Sequence, residues 1–537
     1  MNNNKHYTFE KSRSGETVPV ICIPVGNAQA LHSMVDPVRE AQRIVSQIAE
    51  DTGFLIFLGL GGGFACEAAL DHTQAQIIAI DFGSDGIKEL LAGRDYSKLL
   101  KSDRFSLLVD FENDNIKNFI LENYKPSLSG GIKIIPLRAR IEQDRRKFEE
   151  ANEAIQNAID IITGDYSVQS HFGLRWYKNI LRNIKSLACS NELKIEFPQE
   201  EAAIIAAGPS LDRQIDALFE LKEKNAFFIS TDTALGALVH YNIKPDAVMS
   251  IDCQHLSYYH FMGADVKKML ADIPLVLDIA SPPMLGCLSA VPFFFASGHP
   301  LAQYICRAWR SLTTLDTSGG NVTYSCLSLA ESLGAKRITL FGADFSYVGC
   351  QTYARGTYIN PYFSLRQNRL SPLESEMSAF LYRSPFLPVN DSPADSERKN
   401  YRETVQLRFY RNRLEEKASK MDAFVDCAKG FGAPVNIINK APYAKYRTQS
   451  PAHSEESSGK YMSGTEFLIQ YRNDIAALPE TGNNADYLKL LNAKEKDVFT
   501  TLLPYAAAVR KRDKKIKPKG LIEEVKRLCI AEIDTIL

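Results

Sequence analysis

The segment Ala203-Ile-Ile-Ala-Ala-Gly-Pro-Ser-Leu-Asp212 decides how the rest of the chain is interpreted. Its apolar residues, followed by Gly-Pro-Ser, predict a buried strand, a tight turn and the first turn of a helix. Such a turn presents unpaired backbone N–H groups and a hydroxyl, which suit a phosphate or a carboxylate. A serine also caps a helix without any ligand, so this turn alone leaves both interpretations open.

A second loop of the same kind follows about 110 residues later in the sequence. Ser318-Gly-Gly-Asn321 precedes a predicted helix, and the next predicted strand ends in Gly342-Ala-Asp-Phe-Ser-Tyr347. Glycine lacks the side chain that would keep a phosphate away from the backbone. Two such loops in one α/β segment predict a nucleotide-type site, although each could also be an ordinary turn.

Apolar runs that alternate with helical patterns surround these loops and predict a parallel sheet with helices on both faces. The predicted strands are Ala203–Ala207, Ala226–Ser230, Ala247–Ile251, Leu275–Ile279, Phe293–Ser297, Arg337–Phe341 and Val435–Ile438. Ligands of such sheets bind beyond the carboxyl ends of the strands. We therefore predict a binding site from the polar residues and glycines at these ends and in the second loop, namely Gly208, Pro209, Ser210, Thr231, Asp232, Asp252, Ser318, Gly319, Gly320 and Asn321.

The two aspartates among these residues have competing interpretations. Asp232 precedes Thr233-Ala-Leu-Gly-Ala and could do no more than stabilise the start of a helix. An acid at a strand end can also accept hydrogen bonds from a ribose or a base. The functional interpretation is favoured for Asp252, because Cys253-Gln-His-Leu is a poor helix start.

Candidate catalytic residues lie in and around the irregular stretch that follows Asp344. Tyr353, Arg355 and Tyr358 would donate hydrogen bonds to negative charge that develops on a leaving phosphate. Exposed aromatic loops are also common at protein interfaces. Among the histidines, three lie near strand ends and could act as general bases: His255, His260 and His299. No His or carboxylate pair has the spacing of metal ligands, so we predict no bound metal.

Length and composition predict a cytoplasmic protein of three domains. The chain has 537 residues, a formal net charge of −1 and 10 cysteines without a CxxC pair. These features give no reason to expect nucleic-acid binding, a membrane span or disulfides. The predicted domains are a Rossmann-like domain over 1–165, a central domain over 166–447 and a helical domain over 460–537, after a linker over 448–460. Proline-rich residues 360–400 predict an irregular excursion over the sheet edge, which could serve as a lid.

The first domain contains Gly59-Leu-Gly-Gly-Gly63 after an apolar strand, with Asp81 at the end of the next strand. This arrangement is the outline of a dinucleotide or adenosyl-methionine site. Phe64 and Phe82 crowd the space that a cofactor needs, so we favour a scaffold that binds none.

The residues from Ala203 to Asn242-Ile-Lys-Pro-Asp-Ala-Val-Met-Ser-Ile-Asp252 resemble the motility accessory factor (Maf) family. Leu31–Ala41 and Trp176–Asn183 are similar to Maf segments as well. The resemblance implies an α/β fold with a Rossmann-like N-terminal domain, a central doubly wound parallel sheet and a C-terminal helical domain. It also implies a flagellin glycosyltransferase, which transfers a nonulosonic acid of the pseudaminic or legionaminic type from a CMP donor to Ser or Thr and needs no further cofactor.

Gly208-Pro-Ser-Leu, Thr317-Ser-Gly and Leu340–Phe345 also resemble motifs of bacterial CMP-sialic-acid sialyltransferases. This likeness implies that Gly208, Ser210, Ser318 and Gly319 hold the nucleotide. It further implies that Tyr353, or Tyr347 or Tyr358 in its place, helps the phosphate leave. Those enzymes have a catalytic histidine downstream, where this chain offers only His453 in the linker, so our hypothesis for the general base is Asp344 or an acid of the excursion. Arg355 is the candidate cation for the acidic donor.

Three alternatives remain open from the sequence. The central domain of the Maf family is shared with a hydroxymethylpterin diphosphokinase (MptE-like), which would need ATP and Mg²⁺. A non-catalytic flagellin-binding factor would bind its partner without turning over a donor. An adenosyl-methionine methyltransferase would require cofactor affinity at Gly61.

Overall fold

Two parallel β-sheets, of four and seven strands, organise the chain in the computed structural model. The structure describes residues 6–22, 28–189, 200–349, 351–388, 401–440, 462–480, 487–513 and 518–537. One compact unit comprises residues 1–174 and 471–535, and the other comprises 175–470 with 536–537. The three-domain boundaries stay a prediction.

The strands are β1 (Tyr7–Lys11), β2 (Thr17–Ile21), β3 (Gln29–Ala30), β4 (Thr52–Leu58), β5 (Gln76–Asp81), β6 (Phe105–Val109), β7 (Gly131–Pro136), β8 (Glu201–Ile205), β9 (Phe227–Thr231), β10 (Ala247–Ser250), β11 (Leu275–Asp278), β12 (Pro292–Phe295), β13 (Arg337–Phe341), β14 (Tyr347–Val348), β15 (Tyr401–Arg402) and β16 (Phe424–Cys427).

The helices are α1 (Pro37–Val45), α2 (Phe64–His72), α3 (Ser84–Gly93), α4 (Ser97–Leu100), α5 (Asn113–Asn123), α6 (Pro126–Ser129), α7 (Arg138–Ile141), α8 (Arg145–Cys189), α9 (Ile215–Glu223), α10 (Asp232–His240), α11 (Ala264–Leu270), α12 (Pro300–Ala308), α13 (Val322–Ser332), α14 (Ile359–Ser364), α15 (Leu373–Leu381), α16 (Val405–Lys420), α17 (Gly464–Ala477), α18 (Tyr487–Leu490), α19 (Ala493–Arg512) and α20 (Pro518–Asp534).

The seven-stranded sheet has the order β12-β11-β10-β9-β8-β13-β16, and its strands pair in parallel. Helices cover both faces, since successive residues of β8 enter different cores. Ile204 packs in the core that contains Leu327 of α13, and Ile205 packs in the core that contains Leu218 of α9. The predicted α/β fold with a doubly wound parallel sheet is confirmed. The direction of strand order reverses between β8 and β13, which is where such sheets bind ligands.

One predicted strand of this sheet is wrong. The edge strand is β16, which pairs with β13, whereas Val435–Ile438 forms no strand. The side-chain amide of Asn439 occupies the outer edge of β16, because it donates to the Val425 carbonyl (2.9 Å) and accepts from the Val425 N–H (2.8 Å). An apolar run of four residues does not by itself distinguish a strand from the segment that covers it.

The end of α8 that belongs to the second unit fixes the loops after β10 and β11. The Asn179 amide donates to the carbonyls of Cys253 (3.0 Å) and Ala280 (2.8 Å). The Asn183 amide donates in the same way to Ile279 (2.8 Å) and Ser281 (2.9 Å). The motif Trp176–Asn183 therefore has a structural role at the carboxyl edge of the sheet.

The excursion after β14 is more regular than its prolines suggest. Residues 359–388 contain α14 and α15, so the prediction of an irregular segment is wrong there. Residues 389–400 and the predicted linker 448–460 lie outside the described residues. From residue 462 onward, the regular elements of the described chain are the helices α17 to α20, and Tyr471–Thr535 group with the first unit. None of the described helices has the length and apolar character that a membrane span requires.

Candidate functional site

The Gly208 turn is held by the protein's own carboxylate. Asp344 accepts a hydrogen bond from the Ser210 N–H (2.8 Å), and a Cβ on Gly208 would lie 2.4 Å from Asp344 Oδ2. The Ser210 hydroxyl accepts from the Phe431 N–H (2.8 Å), and both Ser210 and Asp344 are buried. The turn continues as a short 3-10 helix before α9 instead of opening an α-helix directly. The glycine is thus required by the close approach of Asp344.

The loop that follows β16 bridges the point where the strand order reverses. Gln214 accepts from the Gly342 N–H (2.8 Å) and donates to the Lys429 carbonyl (3.0 Å). The Ala433 N–H donates to the Asp344 carbonyl (3.0 Å). Burial raises the pKa of Asp344, although the hydrogen bonds from Ser210 oppose this change. The structure thus places the predicted base Asp344 inside a network that ties β8, β13 and β16 together.

The second loop starts α13 and contacts α16. Asn321 caps the helix by accepting from the Tyr324 N–H (3.0 Å), and Ser318 donates its N–H to Asp316 (2.9 Å). Gly320 has a φ of +72°, and a Cβ there would lie 3.1 Å from the ring of Tyr410 on α16. Among the described residues, no hydrogen bond joins Ser210 to Ser318.

The predicted residues Thr231, Asp232 and Asp252 lie at the carboxyl ends of β9 and β10. Thr231 caps α10, where its hydroxyl accepts from the Ala234 N–H (3.3 Å). Asp232 is buried and accepts from the Thr233 N–H and the Ser250 hydroxyl, both at 2.6 Å. Asp252 is only half-buried and accepts from the N–H of Gln254 (3.0 Å). Burial raises the pKa of Asp252, and the negative charge of Asp232 adds to the effect.

Aromatic rings pack beside these acids. The Tyr358 ring centroid lies 4.4 Å from that of His260 and 6.4 Å from that of Tyr353. The His260 Nδ1 is buried without a hydrogen-bond partner among the described residues. We call Asp232, Asp252, His260, Tyr353 and Tyr358 the acid–tyrosine cluster.

The tyrosines of this region remain protonated hydrogen-bond donors at neutral pH. Burial raises the pKa of Tyr358 to about 12, and the charge of Asp232 adds to the effect. Burial also raises the pKa of Tyr353 and of Tyr410. The negative charge of Asp252 raises the pKa of Tyr410 further. Protonated phenols can donate to an oxyanion that forms during a reaction.

Arg355 and Arg383, two arginines that follow β14, differ in their partners. Arg355 is 75% exposed, and its guanidinium lies 3.9 Å from the carboxylate of Asp212, outside the acid–tyrosine cluster. Arg383 follows α15, and its guanidinium lies 4.2 Å from the centre of the Phe380 ring. Its positive charge opposes the rise in the pKa of Tyr353, Tyr358 and Tyr410 that burial causes. Sequence reasoning missed Arg383 and Tyr410, because no motif marks either residue.

The Gly-rich turn of the first unit has its hydrogen-bonding groups occupied by side chains. His32 accepts from the Gly62 N–H (2.8 Å), and Tyr96 donates to the Gly61 carbonyl (2.6 Å). Asp81 accepts from the Leu60 N–H (2.8 Å) and forms an ion pair with Arg140 (2.9 Å). The Gly62 N–H, the Gly61 carbonyl and the Asp81 carboxylate are therefore engaged within the protein. Among the described residues, no group of three His, Cys, Asp or Glu side chains is placed to bind a metal.

Comparisons with known proteins place this geometry in context. The family described as 6-hydroxymethylpterin diphosphokinase MptE-like matches residues 177–349. The solved structure of the Maf glycosyltransferase from Magnetospirillum magneticum AMB-1 is similar over 100% of this chain and 91% of its own, with a TM-score of 0.50 and 13% identity. The chain therefore has the α/β fold of a Maf glycosyltransferase, and the resemblance seen in the sequence is confirmed at the level of the fold.

Relatives in Treponema pallidum (strain Nichols) share parts of the chain. One uncharacterized protein is 42% identical over 92 residues, which are 17% of this chain and 32% of the relative. A second uncharacterized protein is 29% identical over 168 residues, which are 30% of this chain and 78% of the relative. The chain thus matches about a third of the length of the first relative, and neither name carries an activity.

Proposed function

We propose that this protein is a cytoplasmic glycosyltransferase that moves a nonulosonic acid from a CMP donor to Ser or Thr of flagellin. The observation that carries this proposal is the acid–tyrosine cluster at the carboxyl ends of β9 and β10, within a fold shared with a Maf glycosyltransferase. Protonated tyrosines beside a half-buried acid suit a reaction in which negative charge develops on a leaving phosphate.

In this proposal, the loop Ser318–Asn321 and the turn at Gly208 hold the nucleotide from two directions. The backbone of Gly319 and Gly320 permits close approach of the phosphate. The N–H groups of Gly208 and Ser210 donate to Gly342 and Asp344, and the Ser210 hydroxyl accepts from Phe431. The turn therefore supports the nucleotide by packing against it and not by donating hydrogen bonds. Asp232 and Asp252 accept hydrogen bonds from the ribose or the base.

The proposed chemistry is an inverting displacement with an oxocarbenium-like transition state. The bond between the anomeric carbon and the phosphate oxygen breaks, and its electron pair leaves with CMP. The acceptor hydroxyl oxygen forms the new bond to that carbon, and its proton passes to a base. Tyr353 and Tyr358 stabilise the departing phosphate. Asp344 is the predicted base, and His260 beside Tyr358 is a second candidate, because its Nδ1 has no partner among the described residues.

The proposal is tested by incubating the full chain with its flagellin and a panel of CMP-nonulosonates, followed by intact-mass measurement of the flagellin. A mass gain of one nonulosonic acid per modified site, with release of CMP, is the expected result. A matched reaction without the donor controls for modification that the flagellin already carries. Flagellin that binds the protein but gains no mass with any donor would favour a non-catalytic binding factor.

A second candidate function rests on the MptE-like match over residues 177–349. A hydroxymethylpterin diphosphokinase would release AMP from ATP when Mg²⁺ and a hydroxymethylpterin are present. The same preparation can be assayed for AMP release with and without the pterin. Pterin-dependent AMP release without sugar transfer would replace the first proposal with this one.

A further inference from the structure

Arg383 is a cation that adjoins the acid–tyrosine cluster. No ion pair of Arg383 occurs among the described residues, whereas Arg355 pairs with Asp212 and Arg411 pairs with Glu403. The Phe380 ring supports the Arg383 guanidinium at 4.2 Å. An arginine supported by an aromatic ring is partly fixed in place and keeps its hydrogen-bond donors available.

A chain of ring contacts connects this cation to the cluster. The Phe380 centroid lies 6.5 Å from that of Tyr353, which lies 6.4 Å from that of Tyr358. The charge of Arg383 lowers the pKa of both tyrosines and of Tyr410, so the guanidinium lies within electrostatic reach of three phenols, two in the loop before α14 and one on α16.

The other charges of this region make such a cation necessary for an anionic ligand. The negative charge of Asp232 raises the pKa of Tyr353 and Tyr358. The negative charge of Asp252 raises the pKa of Tyr410. The positive charge of Arg175, on α8, lowers the pKa of Asp252. A ligand that carries negative charge would be repelled by the two carboxylates unless a nearby cation offsets them.

We propose that Arg383 binds an oxyanion of the donor, with the hydroxyls of Tyr353 and Tyr358 as further hydrogen-bond donors. This inference rests on the proposed function, because a CMP-nonulosonate carries two such groups, the carboxylate of the sugar and the phosphate. A guanidinium forms paired hydrogen bonds with either group. Arg383 then makes the site specific for acidic sugars if it binds the carboxylate, and for the nucleotide if it binds the phosphate.

The test compares Arg383→Gln with the matched control Arg366→Gln. Arg366 is also an exposed arginine of the excursion that lies over a tyrosine ring, at 4.4 Å from Tyr362. Titration calorimetry of each full-length variant with CMP and with a CMP-nonulosonate gives four affinities to compare with the wild type. We expect R383Q to weaken binding of the CMP-nonulosonate by about 10- to 100-fold, which corresponds to the loss of a charge-assisted hydrogen bond. R366Q should change this affinity by no more than about twofold, because Arg366 is an exposed residue in a cation–π contact.

The pattern identifies which oxyanion is bound. Unchanged affinity of R383Q for CMP assigns the sugar carboxylate, and an equal loss for both ligands assigns the phosphate. Arg383→Lys, which keeps the charge but not the paired donors, should recover part of the affinity. Wild-type affinity of a folded R383Q for both ligands would overturn the inference alone. A wild-type protein that binds neither ligand would contradict the proposed function and remove the inference with it.

Discussion

Two glycine-rich turns of this chain each precede a helix, α2 or α13, and they differ in what surrounds them. In the first unit, the backbone of Gly61 and Gly62 is hydrogen-bonded to Tyr96 and His32, and the acid at the next strand end is neutralised by Arg140. In the second unit, Gly320 adjoins the ring of Tyr410, and the acid Asp252 accepts hydrogen bonds from Gln254. A glycine pattern therefore indicates close approach of some group, and the neighbours decide whether that group is a ligand.

The largest expected effect tests the structural side of this comparison. Asp81→Asn would remove one of the two carboxylates that pair with the buried guanidinium of Arg140, the other being Asp144. We therefore expect the free energy of unfolding to fall by about 3 kcal/mol. Urea unfolding followed by circular dichroism measures this loss. The exposed Asp85→Asn serves as the control and should change stability little. If the Asp81 variant is as stable as the wild type but loses affinity for the CMP donor, the closed turn has been assigned the wrong role.

The next largest effect tests the functional side. Tyr358→Phe removes a hydroxyl that remains protonated, since the pKa of Tyr358 is raised to about 12. Loss of one donor to a developing oxyanion lowers the rate constant by about 10²- to 10³-fold. Single-turnover transfer to flagellin, followed by intact mass, measures this change. Tyr382→Phe, an exposed tyrosine of the same excursion, is the control and should transfer at the wild-type rate. Equal rates for both variants would count against the acid–tyrosine cluster as the reaction site.

A smaller effect separates the two serines that the sequence assigns to nucleotide binding. Ser210→Ala removes the acceptor of the half-buried Phe431 N–H, so we expect the free energy of unfolding to fall by about 1 kcal/mol. Ser318 lies at a loop that is partly exposed, so Ser318→Ala should instead weaken binding of the CMP donor with little change in unfolding. Thermal unfolding and calorimetry of both variants give the four values. Reversed roles would mean that the Gly208 turn, and not the Ser318 loop, faces the nucleotide.

The smallest expected effect is a pH dependence of stability that arises from Asp252. Burial raises the pKa of Asp252 in the folded state, so the folded protein binds this proton more tightly than the unfolded chain does. The ionised carboxylate therefore costs stability above the raised pKa, and that cost disappears as pH falls toward the unfolded value of about 3.9. Asp252→Asn should thus raise the thermal midpoint slightly at pH 7 and by less in acid. A variant less stable than the wild type at pH 7 would show that the carboxylate has a stabilising partner.

Sequence reasoning succeeded where local pattern and burial coincide. The apolar runs Ala203–Ala207, Ala226–Ser230 and Arg337–Phe341 predicted the strands β8, β9 and β13, because parallel strands are buried on both faces. The same rule failed at Val435–Ile438, an apolar run that lies outside the sheet.

The site was harder to predict, because its residues meet through tertiary contacts. The bond between Ser210 and Asp344 joins residues 134 positions apart, and no local pattern shows that this carboxylate would engage the turn. Arg383 lies in a segment that its prolines marked as irregular. Arg355 lies in the stretch from which the sequence predicted the catalytic residues, yet in the structure it pairs with Asp212. The strand ends were predictable, and the partners of their side chains were not.

The amide of Asn439 has a consequence for how an unfolded polypeptide can approach this molecule. It satisfies both backbone groups of Val425 on the rim of the last strand, so an incoming chain cannot add there as an eighth strand without first breaking two bonds. The Asn439 side chain thus blocks β-augmentation at this edge of β16. An extended polypeptide that reaches this rim would have to be recognised through its side chains.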